Sequence, residues 1–127
     1  MLFEEKVKPY LNSQIKYIGE INDQQKIKFL SRSRALVVPN RWNEPFGIMN
    51  IEALACGTPI IATNKGSLKE IIRHADTGYL CNDYNDLLEG MKNIDSLSNG
   101  NCRIDACNRF STEKYISETE NIYKKFF

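Results

Sequence analysis

Residues 37–63, VVPNRWNEPFGIMNIEALACGTPIIAT, are the stretch from which the rest of the chain is read. The stretch begins inside a short apolar run, Ala35 to Val38, that suits a buried strand ended by Pro39. A polar loop, Asn40 to Asn43, leads to Glu44-Pro45-Phe46-Gly47. The segment Ile48 to Cys56 is almost wholly apolar and long enough for two turns of helix, and Gly57 stands where a helix takes a left-handed cap. Pro59 and Ile60-Ile61-Ala62 then read as a second buried strand. A strand, a helix and a strand in this order form the repeating unit of a parallel sheet.

Two carboxylates in this unit ask for an explanation. Glu52 falls inside the apolar helix, with Ile48, Met49, Ala55 and Cys56 at its helical neighbour positions, so no cation of the same helix pairs with it. A buried carboxylate without a partner is costly, which predicts a partner from another element or from a ligand. Glu44 lies in the loop ahead of the helix, held extended by Pro45. Gly47 permits close approach to the backbone, and the free N–H groups of a helix start favour an anion. One carboxylate at the mouth, a phosphate-friendly helix start and a second carboxylate a turn further in suit a ligand with hydroxyls at both ends and a phosphate between them. A sugar nucleotide has that form.

The run E-P-F-G-I-M-N-I-E, with seven residues between Glu44 and Glu52, resembles the E-x7-E motif of retaining GT-B glycosyltransferases. Its continuation, A-L-A-C-G-T-P-I-I-A-T-N-K-G-S-L-K-E-I-I and then T-G-Y-L, is similar to the family-4 group of those enzymes, and the likeness covers roughly Gln14 to Met91. The resemblance implies transfer of a sugar from a nucleoside-diphosphate sugar to an acceptor hydroxyl with retention. It implies that Glu44 meets the donor sugar hydroxyls and is the candidate catalytic residue. Phe46, Gly47 and Ile48 would hold sugar and diphosphate through their amides, and Glu52 would bind the ribose hydroxyls. Lys65, in the loop leaving the second strand, would reach a phosphate or remain solvated. The loop Gly19 to Ile21 is a candidate for the base, and Trp42 for the acceptor cleft or for packing. Neither glutamate reads as a stand-alone nucleophile, no D-x-D metal motif is present, and no cofactor or metal is expected. A nucleotide-sugar-binding subunit of a split enzyme and a GT-B-type sugar-nucleotide epimerase are the alternative readings.

The remaining chain supports one α/β unit over residues 1–127, with about 102–127 as a helical tail. The resemblance makes this a partial GT-B C-terminal domain: an open parallel sheet of about four strands flanked by helices. The expected strands are Gln14 to Ile18, Ala35 to Val38, Ile60 to Ala62 and Tyr79 to Cys81. The expected helices are Gln24 to Ser33, with Ile27, Phe29 and Leu30 inward, then a short helix to about His74 with a Ser67–Glu70 capping box, and Asp83 to Ile94. That last helix turns Tyr84, Leu87, Leu88 and Met91 to one side. Residues 95–101 read as loose, and Tyr115, Ile116, Ile122, Tyr123 and Phe126 as the apolar contacts of the tail. The family's two earlier strands and its N-terminal acceptor domain are not in this stretch. The first strand is therefore expected to move in beside the second, or two chains to pair their open edges as a homodimer.

Composition excludes several classes. Seventeen basic residues against 16 acidic ones, a net of +1, offer no nucleic-acid patch. The start MLFEEKVKPY carries acids and no apolar core, which does not read as a signal peptide. No run approaches the ~20 apolar residues of a membrane helix. The expected location is cytoplasmic, with peripheral membrane attachment open to the full enzyme. Four cysteines, Cys56, Cys81, Cys102 and Cys107, lack metal-ligand spacing and read as reduced thiols.

Overall fold

Ile60 and Ala62 alternate with Ile61 along the central strand, and that alternation sorts the core into two layers. The computed structural model describes residues 2–127. Its sheet has three parallel strands in the order β1 (Leu36–Val38), β2 (Ile60–Thr63) and β3 (Gly78–Cys81). Leu36 stands opposite Ile60, and Ile60 opposite Gly78. On one face Ile60 and Ala62 pack with Ala53 and Leu54 of α3 (Ile48–Ala55), Leu68 and Ile71 of α4 (Leu68–Ile71), and Cys102 and Ala106 of α6 (Asn99–Phe110). On the other, Ile61 and Cys81 meet Ile94 and the half-buried Leu87 of α5 (Tyr84–Asn93). A parallel sheet covered on both faces is the doubly wound arrangement that alternating strands and helices predict. Before it lie α1 (Leu2–Lys6) and α2 (Asp23–Arg32), and after it α7 (Thr112–Phe126).

Residues 14–18 are not a strand. The Asn12 side-chain oxygen accepts from the Gln14 and Ile15 N–H groups at 2.8 and 2.9 Å, and the Asn12 N–H returns to the Ile15 carbonyl. This local turn takes the amides a ladder would need. The segment stays exposed, and among the described residues β1 pairs only with β2. The expected inward move of the first strand therefore does not occur.

Several helix boundaries also shift. Asn22 caps α2 in a full capping box with Gln25, as its sequence allows, but Leu30 alone of its apolar residues is buried, with Ile27 and Phe29 exposed. α4 ends at Ile71 because the Thr77 hydroxyl accepts the Arg73 N–H and the next residues turn towards β3. In α5, Gly90 rather than Met91 lies against the sheet, beside Ile61 and Tyr79, leaving Tyr84, Leu88 and Met91 exposed. Residues 95–101 are ordered by a 3-10 turn, Ile94–Ser96, and by the start of α6, capped by Ser98. The Arg34 guanidinium grips Asp95 beside that turn and holds its carboxyl below the usual carboxylate range. α6 is fastened to the end of α4 by the buried Asp105, which pairs with Arg73 at 2.9 Å and Arg109 at 2.6 Å. The helical tail breaks at Ser111, which caps α7, but α7 buries no residue, against the expected apolar contacts of the tail. All four cysteines are free, and burial pushes the Cys102 thiol up to about 11. No helix of the described residues is long and apolar enough to cross a membrane.

Candidate functional site

The loop between β1 and α3 sits at the C-terminal end of the sheet, the side where open α/β sheets take ligands. Three contacts from the β2–α4 connection shape it. The Thr63 hydroxyl donates to the Asn40 carbonyl at 2.7 Å. The Ser67 N–H donates to the Glu44 carbonyl at 2.9 Å, and the Ser67 hydroxyl to the Phe46 carbonyl at 2.8 Å. The expected capping box at Ser67 is thus absent: its backbone is αR rather than extended, and its hydroxyl is engaged by the neighbouring loop. The half-buried Glu44 is met by the Trp42 indole N–H at 3.4 Å, and Trp42 itself is 60% exposed.

Gly47 takes φ 76° and begins α3 without any side-chain cap. A non-glycine residue pays a steric cost there. The Asn50 N–H turns back to the Gly47 carbonyl at 2.9 Å. The N–H groups of Ile48 and Met49 meet no protein acceptor among the described residues, so the helix start is an open donor pair carrying the positive end of the helix dipole. Phe46, Ile48 and Met49 are exposed around it. Asn50 is 3% exposed, and its side-chain oxygen has no hydrogen-bond partner among the described residues.

Glu52 is less enclosed than expected, while its partner comes from another element, as its sequence position predicts. Its side chain is 35% exposed rather than enclosed, and its partner is Lys26 of α2, at 3.0 Å. Lys26 also holds Asp23 at 3.1 Å. The Glu52 carboxylate, ahead of Asp23, raises the Lys26 pKa above its ordinary 10.5. Together with Ile27, Leu30 and Ala55 these residues line a groove of about 440 Å³ between α2 and α3. Only Oε1 of Glu52 is taken by Lys26, which leaves Oε2 for another donor.

The structure therefore brings Glu44, Phe46, Gly47 and Ile48 together around the mouth of α3, with Glu52 a turn along the same helix facing α2. Lys65 is exposed at the edge of the loop that braces Glu44, and its ammonium pairs with no acid among the described residues. Gly19 has φ 66° in open surroundings ahead of α2. His74 is occupied structurally: its Nδ1 accepts the Leu80 N–H at 3.1 Å, and its ring stands edge-on to Tyr79. Sequence reading passed over Lys26 and Asn50 and took Ser67 only for a helix cap. The pairing of Lys26 with Glu52 links separate elements and leaves no local mark in the chain.

The profile of the family described as glycosyl transferases group 1 matches residues 3–115. An uncharacterized glycosyltransferase of Methanocaldococcus jannaschii is 29% identical over 124 residues, covering 85% of this chain and 30% of that relative. N-acetyl-alpha-D-glucosaminyl L-malate synthase of Bacillus anthracis is 35% identical over 88 residues, covering 63% of this chain and 23% of the relative. Among solved structures, sucrose-phosphate synthase from Thermosynechococcus elongatus matches with a TM-score of 0.81 at 29% identity, covering 99% of this chain and 34% of that one. The chain belongs to the glycosyl transferases group 1 family, and its three-stranded α/β sheet is a GT-B-like fragment. It spans about a third or less of the length of the relatives it matches.

Proposed function

We propose that this region binds a nucleoside-diphosphate sugar and that the complete enzyme transfers the sugar, with retention, to an acceptor hydroxyl. The observation that carries the reading is the uncapped start of α3 behind Gly47, with Glu44 in the loop before it and Glu52 within the helix. In this reading the Ile48 and Met49 N–H groups receive the diphosphate. Negative charge grows on the leaving phosphate as its bond to the anomeric carbon breaks. Donors already oriented by the helix start stabilise that charge with little reorganisation, and Lys65 adds a cation. Glu44 accepts hydroxyls of the sugar, and Oε2 of Glu52 accepts those of the ribose while Lys26 steadies Oε1. Charge stabilisation then needs no protein-held metal. A chain that holds donor without turnover would behave as a donor-binding subunit.

The test is calorimetric titration of UDP, GDP, ADP and their sugar conjugates against the wild type and Glu52→Ala. Binding of one nucleotide series, weakened at least about tenfold by the substitution, supports the reading. Equal binding by both proteins removes Glu52 from the site. Conversion of a bound sugar nucleotide to its epimer without acceptor would replace transfer by epimerisation.

A further inference from the structure

We infer that Gly66 and Ser67, which lie outside the paired-glutamate motif, are positioning residues that set the backbone of Glu44 to Gly47 for donor binding. This inference rests on the donor-site reading of Glu44. Ser67 contributes both of its hydrogen-bonding ends to the loop. Its N–H reaches the Glu44 carbonyl at 2.9 Å and its hydroxyl the Phe46 carbonyl at 2.8 Å, so the two bonds bracket Pro45. Ser67 is 7% exposed, and water does not replace those bonds cheaply. Gly66 lies flat against the same residue. A Cβ built on it would stand 2.5 Å from the Glu44 carbonyl oxygen and 2.6 Å from the Glu44 nitrogen. Those are backbone atoms and cannot swing aside, and Gly66 has φ +55°, where a side chain is strained in any case. Thr63 ties the other end of the loop through Asn40 at 2.7 Å.

The consequence is functional because the loop has little else to hold it. Among the described residues the Glu44 carboxylate has one weak bond, from Trp42 at 3.4 Å, and the backbone of the following residues runs into a helix start without a side-chain cap. A carboxylate serves a sugar hydroxyl only within a fraction of an ångström of its productive place. The clamp that provides this here comes from the next βα connection, and Ser67 gives up the capping of its own helix to provide it.

The experiment compares wild type, Gly66→Ala, Ser67→Ala and Ser67→Thr in the full chain. It reads amide hydrogen exchange at Ser67, emission of Trp42 (the single tryptophan) and calorimetric affinity for UDP-glucose and ADP-glucose. In Gly66→Ala the Ser67 amide is expected to lose at least about tenfold in protection, Trp42 emission to shift, and donor affinity to fall at least about tenfold, while Ile61 and Ala62 keep their protection. Ser67→Ala, which deletes one bond and introduces no clash, should lose about fivefold in affinity. Ser67→Thr should recover most of it. Unchanged Ser67 protection and Trp42 emission in both glycine and alanine variants would overturn the inference. So would a released loop that binds donor as well as wild type. If wild type binds neither sugar nucleotide while the variants still release the loop, the clamp stands and the donor-site reading fails.

Discussion

Both ends of α3 are marked by a glycine in the left-handed region, Gly47 at φ 76° and Gly57 at φ 80°, and the two ends are finished in opposite ways. At the C-terminal end the carbonyls of Glu52, Ala53 and Leu54 are all taken. Gly57 N–H bonds the Leu54 carbonyl at 2.8 Å and Thr58 N–H the Ala53 carbonyl at 2.9 Å, the pairing of a Schellman motif. The Asn99 side chain then takes the Gly57 carbonyl at 2.6 Å, and the buried Thr58 hydroxyl donates to the Leu30 carbonyl. At the N-terminal end two N–H groups and the Asn50 side-chain oxygen lack protein partners among the described residues. The same residue type in the same conformation serves structure at one end and leaves room for a ligand at the other. The difference lies in what the rest of the fold brings up to each.

The contrast can be broken by substitution. The largest effect is expected from Leu54→Ala, which empties a fully buried position between the two ends and should cost about 2–5 kcal/mol in urea unfolding. Gly57→Ala should cost about 1–2 kcal/mol for the left-handed backbone and leave nucleotide affinity of the folded protein unchanged. Gly47→Ala should carry a similar stability cost but also lose at least about tenfold in affinity. Equal affinity in the two glycine variants would erase the proposed distinction. Asn50→Leu sharpens it further. Replacing an amide with an unsatisfied buried oxygen by an apolar group of like size should leave stability unchanged or raised, as measured by thermal unfolding.

The smallest effect concerns Lys26. Its folded pKa is raised by Glu52 and then Asp23, so the contribution of these contacts is complete below the ordinary lysine value of 10.5 and is lost as pH rises through the raised one. Lys26→Met should therefore be slightly less stable than wild type at pH 8 in low salt, and the two should converge as pH rises through the raised Lys26 pKa. Because the pair is partly solvated, salt should shrink the difference as well. Loss of the ammonium that steadies Oε1 of Glu52 should weaken nucleotide binding by roughly threefold.

Much of this was legible in the chain itself. The apolar runs at Leu36–Val38 and Ile60–Thr63, the helix between them and its Gly57 stop follow from periodicity and local capping, which act over a few residues. Asn22, Asp83 and Ser111 announce helix starts for the same reason. Glu44 and Glu52 stood out because a carboxylate beside an apolar helix has to be accounted for. What misled was pattern without a partner. α7 has the helical spacing of a packed helix, yet Tyr115, Ile122 and Phe126 are exposed, because periodicity gives a helix an apolar side and does not supply the surface to cover it. Residues 14–18 have strand-like composition, but an Asx turn at Asn12 takes their amides.

By itself, then, the sequence determined the βαβ unit, the positions of its two glutamates and the glycines that bound its helix, all set by local backbone and burial preferences. Tertiary structure alone decided that Lys26 meets Glu52, that Ser67 serves Phe46 and Glu44 instead of its own helix, and that Gly66 lies against the loop backbone. Those contacts join residues far apart in the chain. They exist only once parallel strands place one crossover connection beside the next, and no local preference encodes which neighbour that will be.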